Sequence, residues 1–359
     1  MNNSKQFLQI KDKILAKQRI TSKEALSLLK LPIHELGQLA FLKRQQLHEQ
    51  KAYYIYNQHL NYTNICKNKC KFCAYFKDKN NPQAYTYSQQ DIENQIQQRI
   101  NEPIQEIHIV GGLNPDLPLS YYEEMLMLIK KLRPEVKIKA FTAVEIAFLA
   151  EKHGLSEQEV LIRLHKAGLD ALPGGGAEVF SPELRKKLCP EKIPADHWLS
   201  IHQIAHGLNI PTNCTLLFGH IETWQERIEH LEALRTLQDK TKGFLCFIPL
   251  PYQPANNPLS TTGPDGLDFL QMIAISRIFL DNIPHLKTYW VFAGLKISQI
   301  ALHFGADDFD GTLVKENIGH AAGADTPKGI TITQLKNYIQ TAGFIPVQRD
   351  TFFNALPTN

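Results

Sequence analysis

The first fifty residues carry their apolar side chains at helical spacing. Thr21-Ser-Lys-Glu24 has the form of a capping box, in which the threonine oxygen and the glutamate carboxylate satisfy backbone donors at a helix start, and Leu26, Leu28 and Leu29 follow it. From about residue 52 the period changes. Short runs rich in β-branched and apolar residues, among them Glu106–Val110, Val136–Phe141, Asn213–Phe218 and Gly243–Ile248, alternate with stretches of about 12 to 18 residues at helical spacing. In one such stretch Trp198, Ile201, Ala205 and Leu208 fall on a single face. Another opens with a second capping box, Thr223-Trp-Gln-Glu226, and runs into Ile228, Leu231 and Leu234. Strand–helix units repeated over roughly 200 residues predict a parallel sheet, either doubly wound or closed into a barrel.

Both architectures place function in the loops that leave the carboxyl ends of the strands. After Glu106–Val110 comes Gly-Gly-Leu-Asn-Pro115; after Val136–Phe141 comes Thr-Ala-Val-Glu145; after the short segment Leu169–Leu172 comes Pro-Gly-Gly-Gly-Ala-Glu178. Asn213–Phe218 is followed by Gly-His-Ile-Glu-Thr223, and Gly243–Ile248 by Pro-Leu-Pro-Tyr-Gln253. Glycine lets a backbone approach a ligand closely, and a carboxylate or imidazole at a strand end points into the same mouth. Glycine and proline also punctuate ordinary turns. Five such loops in succession are what point to a site.

Composition excludes several classes. With 43% hydrophobic and 21% charged residues, the 359-residue chain has the material for one barrel-sized domain or two smaller ones. A formal charge of +3, with basic residues dispersed among acidic ones, argues against nucleic acid as the main partner. The N-terminus has no signal-peptide-like apolar stretch, and no window approaches the roughly 18 apolar residues of a membrane span, so neither a membrane nor secretion is expected and a cytoplasmic location is. Six cysteines, three of them clustered and the others alone at Cys189, Cys214 and Cys246, are no disulfide framework; the three isolated ones read as buried structural thiols.

The cluster is Cys66-x3-Cys70-x2-Cys73, placed after the first strand-like segment, Ala52–Thr63. A structural zinc site needs four protein ligands, commonly in paired Cys-x2-Cys knuckles, and a bacterial ferredoxin run shows further close cysteines. Use of these cysteines as small hydrophobes fits poorly with Lys67, Asn68, Lys69 and Lys71 between them. The remaining reading turns the missing ligand into a feature: a 4Fe-4S cluster held by three thiolates keeps one iron open to bind a small molecule. A passive electron carrier or a zinc-stabilised binding module are the alternatives outside enzymology.

That cysteine spacing resembles the signature of the radical S-adenosylmethionine enzymes. The resemblance implies a (β/α) TIM-type barrel, a 4Fe-4S cluster on Cys66, Cys70 and Cys73, and S-adenosylmethionine as co-substrate. Phe72 stands where the family has an aromatic residue near the cofactor's adenine, and Gly111-Gly112 matches the glycine-rich turn whose backbone receives the methionine amino group. Glu145 becomes a candidate for the cofactor's ribose, with Glu178 at a matching strand end. A narrower resemblance runs along nearly the whole chain. Asn61-Tyr-Thr-Asn64, Pro173–Glu178, Gly219–Thr223 and Phe247–Tyr252 are similar to the branch of the family that serves the futalosine route to menaquinone and deazaflavin synthesis. Within it Phe180–Lys192, Asn257-Pro-Leu259, Asp281–Lys287 and Leu302–Gly311 most resemble the members that form aminofutalosine, with the cyclase of the same route as the runner-up.

The implied reaction joins the deoxyadenosyl group of S-adenosylmethionine to 3-[(1-carboxyvinyl)oxy]benzoate, with rearrangement and loss of a carboxylate. An electron donor such as flavodoxin or ferredoxin is implied as partner. An anionic substrate needs donors, and His220 and Glu222 are the catalytic candidates, although the histidine alone could orient a loop and the glutamate could serve the helix start beside it. Arg185 and Lys186 read as solvated charges on a helix, and His303 as a satisfied core histidine. The resulting division is a helical extension over residues 1–50, the barrel over 51–300, and a segment over 301–359 that completes or lids it.

Overall fold

The computed structural model describes residues 3–357. Three helices, Asn3–Leu15, Ser22–Leu28 and Ile33–His48, precede the strands. The strands are β1 (Lys51–Ile55), β2 (Asn57–Leu60), β3 (Glu106–Ile109), β4 (Lys137–Ala140), β5 (Thr212–Phe218), β6 (Phe244–Pro251), β7 (His285–Leu286), β8 (Asp308–Gly311) and β9 (Ile345–Gln348). The pairings fall into three parallel groups, β2-β3-β4, β5-β6-β7 and β8-β1-β9. Single bridges join them into a ring. Lys139 with Ala171 and Leu172 with Thr212 link β4 to β5 through the short segment 171–172; Lys287 with Asp308 links β7 to β8; Gln58 with Val314 links the end of β8 to β2. The parallel sheet is therefore closed, and the choice left open by periodicity resolves to a barrel.

The helices form for local reasons. Both expected capping boxes are present, at Thr21 and Thr223, and others start the helices at Ala143, Glu157 and Ile332. Helix Leu119–Leu132 buries Tyr122, Met125, Leu126 and Ile129, a stripe at three- and four-residue spacing against the sheet. Helix Gly266–Phe279 is buried almost all round because it lies between the barrel and helix Ile33–His48. The N-terminal helices sit at the end of the barrel away from the strand-end loops: Arg44 donates to the carbonyls of Ala306 and Glu49, just before β8 and β1, and of Lys51, the first residue of β1. Strand β8 lies beyond residue 300 and supplies the last stave of the ring. Among the described residues no helix is long and apolar enough to cross a membrane.

At that same far end charges are buried in pairs. Asp307 accepts from Arg277, from the Leu286 amide at 2.7 Å and from His285 Nδ1 at 2.6 Å, while Arg349 grips Asp308. Removing one partner from such a pair leaves a charge with no solvent, a cost of about 3–5 kcal/mol. Two sequence expectations change here. Arg185 is not a solvated charge but buried, donating to the carbonyls of Ala177 and Ile193 and tying the glycine-rich loop to its helix; Lys186 is exposed as expected. His303 is satisfied by the Ala342 carbonyl at 2.8 Å, but at the surface and not in the core.

Burial of neutral histidines gives the fold a pH dependence. Burial pulls His48 and His206 from 6.5 to about 4 and His230 to about 3, and it holds His202 and His59 well below the usual range. Between pH 6.5 and 4 the unfolded chain binds more protons at each of these sites than the folded one, so folded stability falls as pH falls. Glu145, raised by burial to about 7, and His320, raised by its contact with Glu316, work the other way, while carboxylates held low, Glu222 at about 2 among them, add to the loss at acid pH. The urea midpoint measured anaerobically should drop steeply from pH 7 to pH 4.5; a flat profile would contradict this assignment of buried neutral imidazoles.

Candidate active site

The strand-end loops enclose a cavity of about 320 Å³. Its rim is made by Cys66, Cys70 and Cys73 together with Gly111, Gly112, Glu145 and Glu178, all brought to one mouth by the closed ring. Phe72 joins them, and Lys192, which the sequence did not single out, lies 5.2 Å from its ring centroid and pairs with Glu178. The two glycines are required by packing. A Cβ on Gly112 would stand 2.2 Å from the Ile65 carbonyl oxygen and 3.0 Å from Cys66 Cβ, so the cysteine loop rests directly on the turn; one on Gly111 would strike the Tyr62 ring at 2.6 Å. Glu145 caps its own helix through Thr142, accepts from Tyr62 Oη at 2.9 Å and from the Gly111 amide at 3.2 Å. Burial pushes its carboxyl up to about 7 against those hydrogen bonds.

The three thiols fit an iron–sulfur cluster better than a single ion. Zinc holds thiolates at 2.3 Å, which sets their sulfurs about 3.8 Å apart. Among the described residues the one set of three such groups with ligand atoms all within 4.8 Å is His48, His285 and Asp307 at the opposite end, so the cysteine sulfurs are spread more widely. Burial raises the Cys66 and Cys70 thiols, so a bound metal must displace their protons. Beside them Asn68 Oδ1 is buried without a partner and faces the same cavity.

His220 and Glu222 do not line the cavity. Gly219, at φ +84°, turns the loop back on itself. His220 Nε2 then lies 3.0 Å from the Leu217 carbonyl, while its Nδ1 sits between the Ile221 amide at 2.7 Å and Glu222 Oε2 at 2.9 Å. Glu222 accepts from Arg227 at 2.7 Å and from the amides of Gly219 and His220; burial works to raise its pKa, but the His220 contact and the Arg227 guanidinium bring it to about 2. Both side chains staple the loop to the helix start. Cys189, Cys214 and Cys246 are buried.

The sequence reading missed the lower wall. Asn57 and His59 from β2, His108 from β3, Asn213 and Thr215 from β5, Lys287 after β7 and Asp310 from β8 point inward beneath the rim. The signal was available in the polar run Asn57-Gln-His59 and the alternation of Asn213-Cys-Thr215, but not the direction in which it faced. From above, Tyr252, Gln253, Tyr289, Phe292, Glu316 and Ile318 narrow the opening.

A closed parallel barrel whose mouth gathers three widely set thiols, a two-glycine turn and buried carboxylates is built as an enzyme that holds an open-sided iron–sulfur cluster. Comparison with known proteins agrees. Residues 60–234 match the Radical SAM superfamily, and residues 241–358 match the CofH/MqnC C-terminal region. The chain is 39% identical to the aminodeoxyfutalosine synthase of Thermus thermophilus, over 97% of this chain and 95% of the relative. It is 38% identical to the cyclic dehypoxanthine futalosine synthase of Streptomyces coelicolor over 97% and 88%, respectively. The 5-amino-6-(D-ribitylamino)uracil–L-tyrosine 4-hydroxyphenyl transferase of Methanopyrus kandleri matches at 36% over 90% and 89%. Among solved structures, the methylornithine synthase PylB superposes with a TM-score of 0.73 at 16% identity, covering 94% of this chain and 97% of its own. The hydrogenase maturase HydG of Carboxydothermus hydrogenoformans superposes at 0.75 and 16%, covering 98% and 81%. The chain belongs to the radical S-adenosylmethionine superfamily, in the branch that carries the CofH/MqnC C-terminal region; it is an enzyme of that type, using a 4Fe-4S cluster and S-adenosylmethionine.

The contact between Gly112 and the cysteine loop gives a test. A Gly112→Ala substitution forces Ile65 and Cys66 aside, an overpacking cost of about 1–3 kcal/mol. Iron bound per chain after anaerobic reconstitution should fall well below wild type. Gly207→Ala, whose Cβ meets nothing within 4 Å, should bind iron normally.

Proposed function

We propose that the chain forms aminofutalosine, joining the deoxyadenosyl group of S-adenosylmethionine to 3-[(1-carboxyvinyl)oxy]benzoate with rearrangement and loss of a carboxylate. One observation carries the reading past the superfamily. Asp281–Lys287 and Leu302–Gly311, two of the segments that most resemble aminofutalosine-forming members, are the ones that bring Lys287 and Asp310 into the cavity wall. Segments that, within the branch, most resemble the aminofutalosine-forming members thus contribute side chains to the cavity wall, which supports the reading. The Thermus relative of that name supports it along nearly the full length of both chains.

The residues that would hold the cluster are Cys66, Cys70 and Cys73. When bound, it supplies the electron that divides S-adenosylmethionine into methionine and a reactive deoxyadenosyl fragment. The chain's own part is placement. Phe72 offers a face for an adenine, while Gly111, Gly112, Glu145 and Glu178 offer backbone and carboxyl groups to the rest of the cofactor. Leu217, Ile248 and Leu250 give the cavity dry walls beside the polar groups below. A reactive intermediate survives only where solvent and stray hydrogen donors are kept away and one substrate carbon is held at contact distance. A low-potential donor such as flavodoxin or ferredoxin is the expected reductant, and the cytoplasm the expected location.

The second reading is the cyclisation of dehypoxanthine futalosine, favoured by the relative of that activity at 38% identity. One anaerobic assay separates them. Reconstituted protein with dithionite and S-adenosylmethionine should convert the enolpyruvyl benzoate to a product of the mass of aminofutalosine and leave dehypoxanthine futalosine untouched. The reverse pattern sinks the first reading and keeps the second. Cys70→Ala should abolish product formation with either substrate and lower bound iron.

A further inference from the structure

Below the rim the cavity ends on polar groups that the protein itself leaves unused. His59 and His108 stack with ring centroids 4.6 Å apart and planes 12° from parallel. His59 is 7% exposed and lines the cavity, yet among the described residues no hydrogen-bond partner reaches either nitrogen of its ring. Burial, reinforced by the neighbouring His108, Lys287 and Lys139 and opposed by Glu106, keeps that ring neutral, so it has one N–H to donate. The Asn213 carboxamide is in the same position: 1% exposed, facing the cavity, its Oδ1 buried without a partner. Lys287 Nζ lies 2.7 Å from Asp310 Oδ1 and 3.8 Å from Asp308 Oδ1. The Asp310 hydrogen bond uses one of the ammonium's three protons and Asp308 stands at ion-pair distance, which leaves a proton to point at a ligand.

Buried polar groups in folded proteins are nearly always paired, and an orphan in a cavity wall marks a missing partner. Here two unpartnered side chains on separate strands, His59 and Asn213, share one cavity with the ammonium of Lys287; the Asn213 Nδ2 group makes no hydrogen bond among the described residues either, so a half-turn of the carboxamide lets it present its N–H, and each of the three can offer a donor. The partner that satisfies an imidazole N–H, a carboxamide N–H and an ammonium together is a planar anion with several lone pairs, a carboxylate. Asp310 and Asp308 offset the charge of Lys287, so recognition comes from directed hydrogen bonds more than from net charge. We propose that His59, Asn213 and Lys287 form the subsite that takes the ring carboxylate of an aromatic acid. The reacting carbon at the other end of such a molecule then faces the cysteine rim, because His59 and Asn213 lie within the staves and the cysteines lie in the loop above them. This inference rests on the proposed function for the identity of the acid.

The test uses reconstituted holoenzyme. His59→Phe and Asn213→Leu should raise KM for 3-[(1-carboxyvinyl)oxy]benzoate by roughly tenfold or more, as expected for lost hydrogen bonds to a charged group. KM for the analogue without the ring carboxylate should not change, and His59→Gln should recover part of the loss. Iron content and the visible absorbance of the cluster report that the variants fold; Lys287→Met joins the series only if it passes that check. Equal losses with both substrates, or none, overturn the subsite. A separate binding measurement stands apart from the reaction: wild-type holoenzyme should bind 3-methoxybenzoate roughly tenfold more tightly than 3-methoxybenzamide, and His59→Phe should erase the difference. Equal binding by wild type overturns the subsite even if aminofutalosine is formed. Failure to form aminofutalosine, with the carboxylate preference intact, overturns only the choice of acid.

Discussion

The seam between the first stave and the last is the constraint on which the rest depends. Thr312 Oγ1 donates to the Asn57 carbonyl and the Leu313 amide donates to Asn57 Oδ1, contacts across 255 and 256 residues of chain. The His59 amide reaches the Val314 carbonyl and the Tyr53 amide the Asp307 carbonyl. Without these bonds the parallel strands would form open sheets whose loops fan apart. With them every strand-end loop meets its neighbours around one mouth. Closure also removes the unpaired edges that an open parallel sheet would expose.

Closing the ring buries polar side chains, and the protein handles them differently at its two ends. At the end away from the loops, Arg277, Arg349, Asp307 and Asp308 are neutralised in pairs and further tied to backbone groups, which makes that end a fixed base. Toward the mouth the pairing is incomplete. Glu106 and Lys139 still form a buried pair at 2.7 Å, but His59, Asn68 and Asn213 keep unused hydrogen-bonding capacity. The contrast follows from what each end must do. A base is most stable when every group is satisfied, whereas a site must hold some groups in reserve for what it binds.

Much of this was legible. The capping boxes at Thr21 and Thr223, the strands around residues 106, 137, 213 and 244, and the spacing of the cysteines are all local patterns, and the structure forms helices, strands and a thiol-bearing loop at those places. What escaped was short or disguised. β7 has only His285 and Leu286, and β8 reads Asp308-Phe-Asp-Gly311, a sequence too acidic to look like a stave. It is stable there because Arg349 and Lys287 neutralise its carboxylates from other parts of the chain. His220 and Glu222 misled for the converse reason: a residue type suited to catalysis was consumed by its own loop once Gly219 reversed the backbone. Arg185 looked solvated by its sequence neighbours and is buried by the carbonyls it serves.

The sequence by itself determined what depends on neighbours along the chain: three cysteines on one loop, glycines that tolerate its close approach, helix starts, and the alternation of strands with helices. The tertiary structure alone decided that the sheet closes, which alternating residues face inward, and that His59, Asn213 and Lys287 share one cavity. The physical reason is that inward and outward are set by register and by partners hundreds of residues away, and a period of two in a strand carries no mark of which face will be enclosed.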